Sequence, residues 1–256
     1  MDVKQRFSDR VADYVRARPG YPEEVYSGLA DAGALRPGAV IADIGAGTGL
    51  SAELFLRHGH QVIGVEPNAA MREAGRQQLA RYGAAYLTQA GSAEASGLPA
   101  ASIDLAVAAQ AFHWFKPEAA RLEFRRVLKP AGCVALIWND RQTDTSPFLI
   151  DYENLLLAHG TDYREVNHRN IDAAKIAAFF GGARCQELVC RYVQHFDYEG
   201  LEARLLSSSY TPPAGDPRRE PMLKTLCDLH ARHAVNGQVA MVYDTRVYFG
   251  ALMSES

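Results

Sequence analysis

Over the first part of the chain, short apolar runs alternate with stretches whose apolar residues recur every three or four positions. The runs cover residues 40–44, 61–66, 84–89, 103–108 and 133–138. Bounded by glycine or proline, such runs read as strands buried on both faces. Between them, residues 50–58, 68–82 and 117–128 read as helices. Asn68 is placed to cap the second of these, Gly59 and Gly83 to stop the first and second, and Pro117 to open the third. This alternation builds a parallel sheet with helices on both faces. Upstream, the spacing of Val11, Val15, Val25 and Leu29 predicts two helices within residues 1–33, broken at Pro19, Gly20 and Pro22.

After Asn139 the rhythm changes. Residues 140–170 are polar apart from a helical stretch at 148–158, and a second helix is predicted at 171–180. Two long strands, 183–197 and 238–252, flank helices at 201–209 and 221–233. Met222, Leu223, Leu226 and Leu229 form the packed face of the last helix. Two long strands joined by a helical excursion predict a hairpin-like pair at the sheet edge. The expected fold is therefore α/β: a Rossmann-like doubly wound sheet of seven strands, the last antiparallel, with N-terminal helices and a helical cap.

The first chemical signal is Asp43-Ile44-Gly45-Ala46-Gly47-Thr48-Gly49, which follows a strand and opens a helix. Glycines there let the backbone turn tightly and leave no side chain between it and a ligand. The second is Glu66, ending the next strand 23 residues beyond Asp43. A carboxylate at that place can accept hydrogen bonds from the two hydroxyls of a ribose. These signals suit any nucleoside-bearing cofactor. A dinucleotide fingerprint, however, needs a third glycine where Leu50 stands. Asp43 at the strand end would repel a pyrophosphate and suits a ligand carrying an ammonium group.

Composition narrows the partners. The chain has 256 residues, 48% of them apolar, enough for a substantial core. A formal net charge of −3 supplies no field for nucleic acid or an anionic membrane. Cys185 and Cys190 stand five apart with no second pair at zinc-ligand spacing, and in a strand they would face opposite sides. All four cysteines read as reduced and partly buried, and no metal is expected. Residues 1–12 lack the apolar segment of a secretory signal, and no stretch is long enough to span a bilayer, so a cytoplasmic location is expected.

With these residues in view, the chain resembles the class I S-adenosylmethionine-dependent methyltransferases. The segment from Val40 to Gly49 resembles their first motif, and Glu66-Pro67-Asn68 with Met71 resembles the second, which carries the ribose-binding acid. Gly91-Ser92-Ala93-Glu94 resembles the stretch that flanks the adenine, with Ser92 where the family often has Asp. Residues 103–107 with Gln110-Ala111-Phe112-His113-Trp114 resemble the fourth-strand motif, and residues 125–132 the motif ahead of the fifth strand. Tyr14 through Arg18-Pro19-Gly20-Tyr21-Pro22 resembles a methyltransferase type 11 subgroup that includes the trans-aconitate methyltransferases. There the N-terminal segment covers the cofactor.

The resemblance implies a cofactor site of Tyr14, Arg18, Asp43, Gly45, Ala46, Gly47, Glu66, Pro67, Met71, Ser92, Ala93, Glu94 and Gln110. It implies one methyltransferase domain over residues 1–256: an N-terminal cover (1–38), a cofactor-binding core (39–139), and a substrate cap with completing strands (140–256). Methyl transfer from a sulfonium is an in-line displacement onto an aligned acceptor, expected to be a small molecule. His113 is the candidate base, or else a residue that shapes the pocket. The assembly is expected to be a monomer or homodimer without nucleic acid or membrane. Two other readings stand beside this one: a nucleotide-dependent oxidoreductase, which the glycine spacing disfavours, and a non-catalytic S-adenosylmethionine-binding protein.

Overall fold

The computed structural model describes residues 20–163, 173–181 and 185–252. Tyr14, Arg18 and the first expected helix lie outside the described residues, as do the start of the helix expected from 171 and that of the strand expected from 183. In chain order the helices and strands are α1 (Glu23–Asp31), β1 (Val40–Ile44), α2 (Leu50–Arg57), β2 (Gln61–Val65), α3 (Ala69–Gln78), β3 (Tyr86–Gln89), β4 (Ile103–Ala109), α4 (Pro117–Val127) and β5 (Leu128–Arg141). They continue with α5 (Pro147–His159), α6 (Ala173–Phe179), β6 (Gln186–Phe196), α7 (Tyr198–Leu206), α8 (Arg219–His233) and β7 (Val239–Gly250).

The strands form one seven-stranded mixed sheet in the order β3-β2-β1-β4-β5-β7-β6, with the last strands antiparallel. The four pairings among β1–β5 are parallel. Sequence order reverses between β1 and β4, the place where open α/β sheets bind ligands. The expected edge pair is present, with β6 outermost.

The chain divides into two compact units. The first holds Gly20–Asn139 with the described parts of 171–190 and 245–256. It has a core on each face of the sheet, and side chains alternate between them as strand geometry requires. Leu105 and Val107 enter one core with Leu29, Phe55 and Leu79. Ala106 and Ala108 enter the other with Phe112, Phe124 and Trp138. Cys190 joins the first core and Cys185 packs on the second. All four cysteines are free, but Cys227 is exposed rather than partly buried. The second unit holds the described parts of 140–170 with Arg191–Asp244. Its core joins α5, α7 and α8 through Phe148, Leu156, Leu205, Met222, Leu226 and Leu229.

Three elements differ most from expectation. The helix expected over 201–209 runs over Tyr198–Leu206, where Asp197 caps it by accepting from the Gly200 N–H at 2.8 Å. The helix expected over 68–82 stops at Gln78 and gives way to a 3-10 segment, Ala80–Ala85, in which Gly83 takes φ 54° and ψ −129°. Asn68 does cap it, accepting from the Met71 N–H at 3.1 Å. Residues 129–132, between the helix and strand expected on either side, lie inside β5 as a bulge. Ile103 pairs with Leu128 and Leu105 with Cys133, so four residues stand opposite Asp104 alone, three more than a regular ladder holds. Lys129 anchors the bulge by an ion pair to Asp104 at 2.7 Å.

Glu123 on α4 fastens the loop after β3. Its carboxylate accepts from the Ser96 N–H at 2.8 Å and from the Ser96 hydroxyl, and Arg126 donates to it at 2.7 Å. Arg126, helped by Ser96, holds the carboxyl at about 2, below the ordinary 4.5. A depressed carboxylate contributes stability above its unfolded value and loses it as pH falls through the folded one. Glu123→Gln should therefore melt below the wild type at pH 7. The gap should close between pH 4.5 and about 2 when followed by circular dichroism. A gap that does not change with pH would contradict the assignment.

Candidate functional site

The registers Ile44↔Val65 and Val65↔Gln89 bring the C-terminal ends of β1, β2 and β3 level. The loop after β1 begins by leaning on β2: the Gly45 and Ala46 N–H groups donate to Val65 O at 2.8 and 3.2 Å. Gly45, Gly47 and Gly49 all have positive φ, 75°, 55° and 83°. At Gly45 a side chain is doubly excluded, since a Cβ would sit 2.7 Å from Ala111 Cβ. Gly47 differs: among the described residues a Cβ there would meet only Met71 Cε, at 3.7 Å. Among the described residues, then, buried Met71 alone borders the Gly47 backbone on the side a Cβ would take.

Glu66 closes the loop. Its Oε2 accepts from the Gly47 N–H at 3.0 Å and its Oε1 from the Asn68 N–H at 2.9 Å. Its backbone N–H donates to Gln89 O at 3.1 Å, and Arg72 donates to its carbonyl at 2.6 Å. Burial pushes the Glu66 carboxyl up, opposed by the Asn68 and Gly47 N–H groups. Each carboxylate oxygen has two lone-pair directions, so one on each remains beyond these bonds. Pro67, between Glu66 and Asn68, is exposed.

Asp43 is wholly buried behind the loop. Its Oδ2 accepts from Ser51 Oγ at 2.6 Å, while Oδ1 has no partner among the described residues. Burial raises its carboxyl to about 7; the Ser51 hydroxyl and Ala52 N–H oppose this, and the Glu66 charge adds to it. The buried Thr48 hydroxyl is also unpartnered among the described residues.

The remaining expected residues fall around this centre. Ser92 and Ala95 bond reciprocally across a tight turn, at 3.0 and 3.3 Å, with Ala93 buried inside it. Glu94 accepts from the Lys116 N–H at 2.9 Å, tying that turn to the start of α4. Gln110, at the end of β4, has φ 55°, an uncommon backbone for a residue with a side chain. Its Nε2 donates to Asn139 O at 3.1 Å. His113 is exposed on the 3-10 turn Phe112–Trp114, its ring 4.7 Å from that of Trp114. Among the described residues no three His, Cys, Asp or Glu side chains form a metal cluster.

Three residues here carry no signal in the one-dimensional pattern. Ser51 holds Asp43 from the first turn of α2. Asn139 collects three contacts: its amide donates to Gly20 O at 3.1 Å, its Oδ1 accepts from Thr245 at 2.7 Å, and its carbonyl holds Gln110. Tyr86 points its hydroxyl at the backs of glycines. A Cβ would come within 2.6 Å of it at Gly64, 3.1 Å at Gly75 and 3.2 Å at Gly49. Burial pushes this phenol up, and the Asp43 and Glu66 charges add to the effect.

With this geometry, the comparisons with known proteins become specific. Residues 42–136 match the family model for the methyltransferase domain. An uncharacterised methyltransferase-like protein of Schizosaccharomyces pombe is 36% identical over 157 residues, 61% of this chain and 59% of that one. An uncharacterised methyltransferase of Mycobacterium bovis is 36% identical over 140 residues, 55% and 54% of the two chains. The chain thus spans little more than half the length of these relatives. Among solved structures, YcgJ of Bacillus subtilis superposes with a TM-score of 0.55 at 22% identity, covering 89% of this chain and 98% of that one. A geranyl diphosphate methyltransferase in complex with SAM superposes with a TM-score of 0.50 at 15% identity, covering 90% and 85%. The likeness to the methyltransferase domain thus covers residues 42–136, the segment that carries the glycine loop and Glu66, and the solved structures share the fold.

The packing of Tyr86 against glycine is open to test. Gly64→Ala should cost about 1–3 kcal/mol in denaturant unfolding, as overpacked cores do. Gly64→Ala with Tyr86→Phe should recover part of that loss, because the clashing oxygen is gone. Strict additivity of the two changes would rule the contact out as the cause.

Proposed function

We propose that this chain transfers a methyl group from S-adenosylmethionine to a small-molecule acceptor by in-line displacement. The observation that carries the reading is the glycine loop with Glu66 at its base, a cradle of backbone bordered among the described residues by Met71, next to a half-buried carboxylate with lone pairs to spare. The residues fit the donor. Glu66 would take the two ribose hydroxyls. Gly45, Ala46 and Gly47 would present backbone, and Met71 with Pro67 would border the nucleoside. Ser92, Ala93 and Glu94 would flank the adenine, with Gln110 completing the wall. Asp43 has a buried oxygen left over for the ammonium group, directly or through water.

The bound donor supplies an already activated methyl group, so the chain mainly has to orient the acceptor and exclude water. His113 takes a proton where the acceptor must lose one; otherwise it walls the acceptor site. Tyr14 and Arg18 belong to the proposal as cover for the donor's carboxylate end, on the family resemblance alone. So does the assignment of acceptor selection to residues after 139. The SAM complex of the geranyl diphosphate methyltransferase supports the choice of donor.

Two measurements test the reading. Incubation with S-adenosylmethionine and a panel of small acids, phenols and amines should release S-adenosylhomocysteine with at least one acceptor. A panel that yields none beyond the acceptor-free control counts against methyl transfer. The second concerns Asp43, which at neutral pH is partly protonated. A cationic ligand favours the ionised form, so binding should release protons, and affinity should rise as pH climbs through about 7. Calorimetry in buffers of different ionisation enthalpy reads this directly. In Asp43→Asn the proton release should vanish; its persistence would assign the titration elsewhere.

A further inference from the structure

The second unit buries two arginines, and they are neutralised differently. Arg141, at the end of β5, pairs with Glu153 and donates to Tyr163 Oη at 3.0 Å. The Tyr163 hydroxyl donates to the same Glu153 at 2.7 Å. Arg141 therefore has its counter-ion in place. Arg204, in the last turn of α7, is only 8% exposed, and no Asp or Glu among the described residues pairs with it. Its Nε donates to Tyr243 Oη at 3.4 Å and its Nη1 to Ser208 Oγ at 3.0 Å, both neutral groups. Nη2 meets no acceptor among the described residues.

The helix end offsets part of this charge, since exposed carbonyls there carry partial negative charge. Those carbonyls are already engaged, however. Ser207 Oγ donates to Arg204 O at 2.8 Å, and Thr211 Oγ1 donates to Leu205 O at 2.6 Å. A buried guanidinium without an anion is a costly arrangement that packing alone does not require. Tyr152, in the same apolar core as Tyr243 and Leu205, is 1% exposed, and its hydroxyl makes no hydrogen bond among the described residues. The charges of both Arg204 and Arg141 bear on that phenol. An open guanidinium edge and an unused phenol donor in one buried cluster form the donor set that an oxyanion accepts, because the planar fork matches two oxygens at once.

We propose that Arg204 and the Tyr152 hydroxyl form a binding site for the oxyanion group of a small molecule, a carboxylate or a phosphate. The site lies wholly among residues of the second unit and does not depend on the methyl-transfer reading. Arg204 supplies charge and the two-pronged contact; Tyr152 supplies the directional third bond.

The test uses the full chain and three probes, succinate, benzoate and inorganic phosphate, each against sodium chloride at equal ionic strength. At least one probe should raise the melting temperature above the chloride control and bind measurably by calorimetry. Arg204→Lys, which keeps the charge and loses the fork, should weaken that probe about tenfold or more. Tyr152→Phe keeps the packed ring, so it reports even if the arginine variant folds poorly, and it should weaken binding by a smaller factor. A response to carboxylates alone or to phosphate alone assigns the source of the oxyanion. S-adenosylmethionine affinity, measured on the same variants, should stay at the wild-type value. Its absence in the wild type would defeat the methyl-transfer reading and leave this site standing. The proposal is overturned if no probe stabilises the chain beyond chloride, or if both variants bind the responding probe as the wild type does.

Discussion

The site depends on one carboxylate being shared between two backbone donors. Glu66 accepts from Gly47 on one oxygen and from Asn68 on the other, and so joins the loop after β1 to the start of α3. Hydrogen bonds to a charged acceptor are stronger than neutral ones, and a half-buried carboxylate left without them would be costly. The glycine loop therefore has a fixed floor. Its flexibility in sequence becomes one defined curve in space, with Gly45 held against Ala111 and Gly47 bordered by Met71.

Charge is concentrated behind that floor. Asp43, Glu66 and the Tyr86 phenol lie close enough that each carboxylate raises the phenol, and Glu66 raises Asp43. Two acids in one buried region resist ionising together. A ligand that brings positive charge relieves the conflict, whereas a pyrophosphate would deepen it. The same physics acts with opposite sign in the second unit, where Arg204 is buried among hydroxyls with no acid paired to it among the described residues. Each unit thus holds a buried charge that the described residues leave incompletely matched.

Much of this was legible in sequence because the signals are local. An apolar run between glycines becomes a strand whatever lies elsewhere, and β1, β2 and β4 fall within a residue of their expected bounds. The Asn68 cap and the glycine turn are likewise set by neighbours in the chain. The rest depends on partners far apart. Tyr86 explains Gly64 and Gly75 only once β2, β3 and α3 are side by side. The bulge in β5 is invisible until Ile103 and Leu105 fix the register. Asn139 reads as an ordinary polar residue after a strand, although it holds Gly20, Thr245 and Gln110 together. Tyr243 reads as sheet packing, and its contact with Arg204 appears only in three dimensions. Glu94 was legible as part of a motif, but its bond to Lys116 was not.

The central claim is that Glu66 and the glycine loop bind an adenosyl sulfonium rather than a dinucleotide. Calorimetric titration of the wild type and Glu66→Ala with S-adenosylmethionine, S-adenosylhomocysteine and NAD tests it most directly. The account predicts that the wild type binds both sulfur ligands and not NAD. It also predicts that Glu66→Ala, still folded by circular dichroism, binds them about tenfold to a hundredfold more weakly. Binding of NAD alone, or sulfur-ligand affinity unchanged in Glu66→Ala, would contradict it.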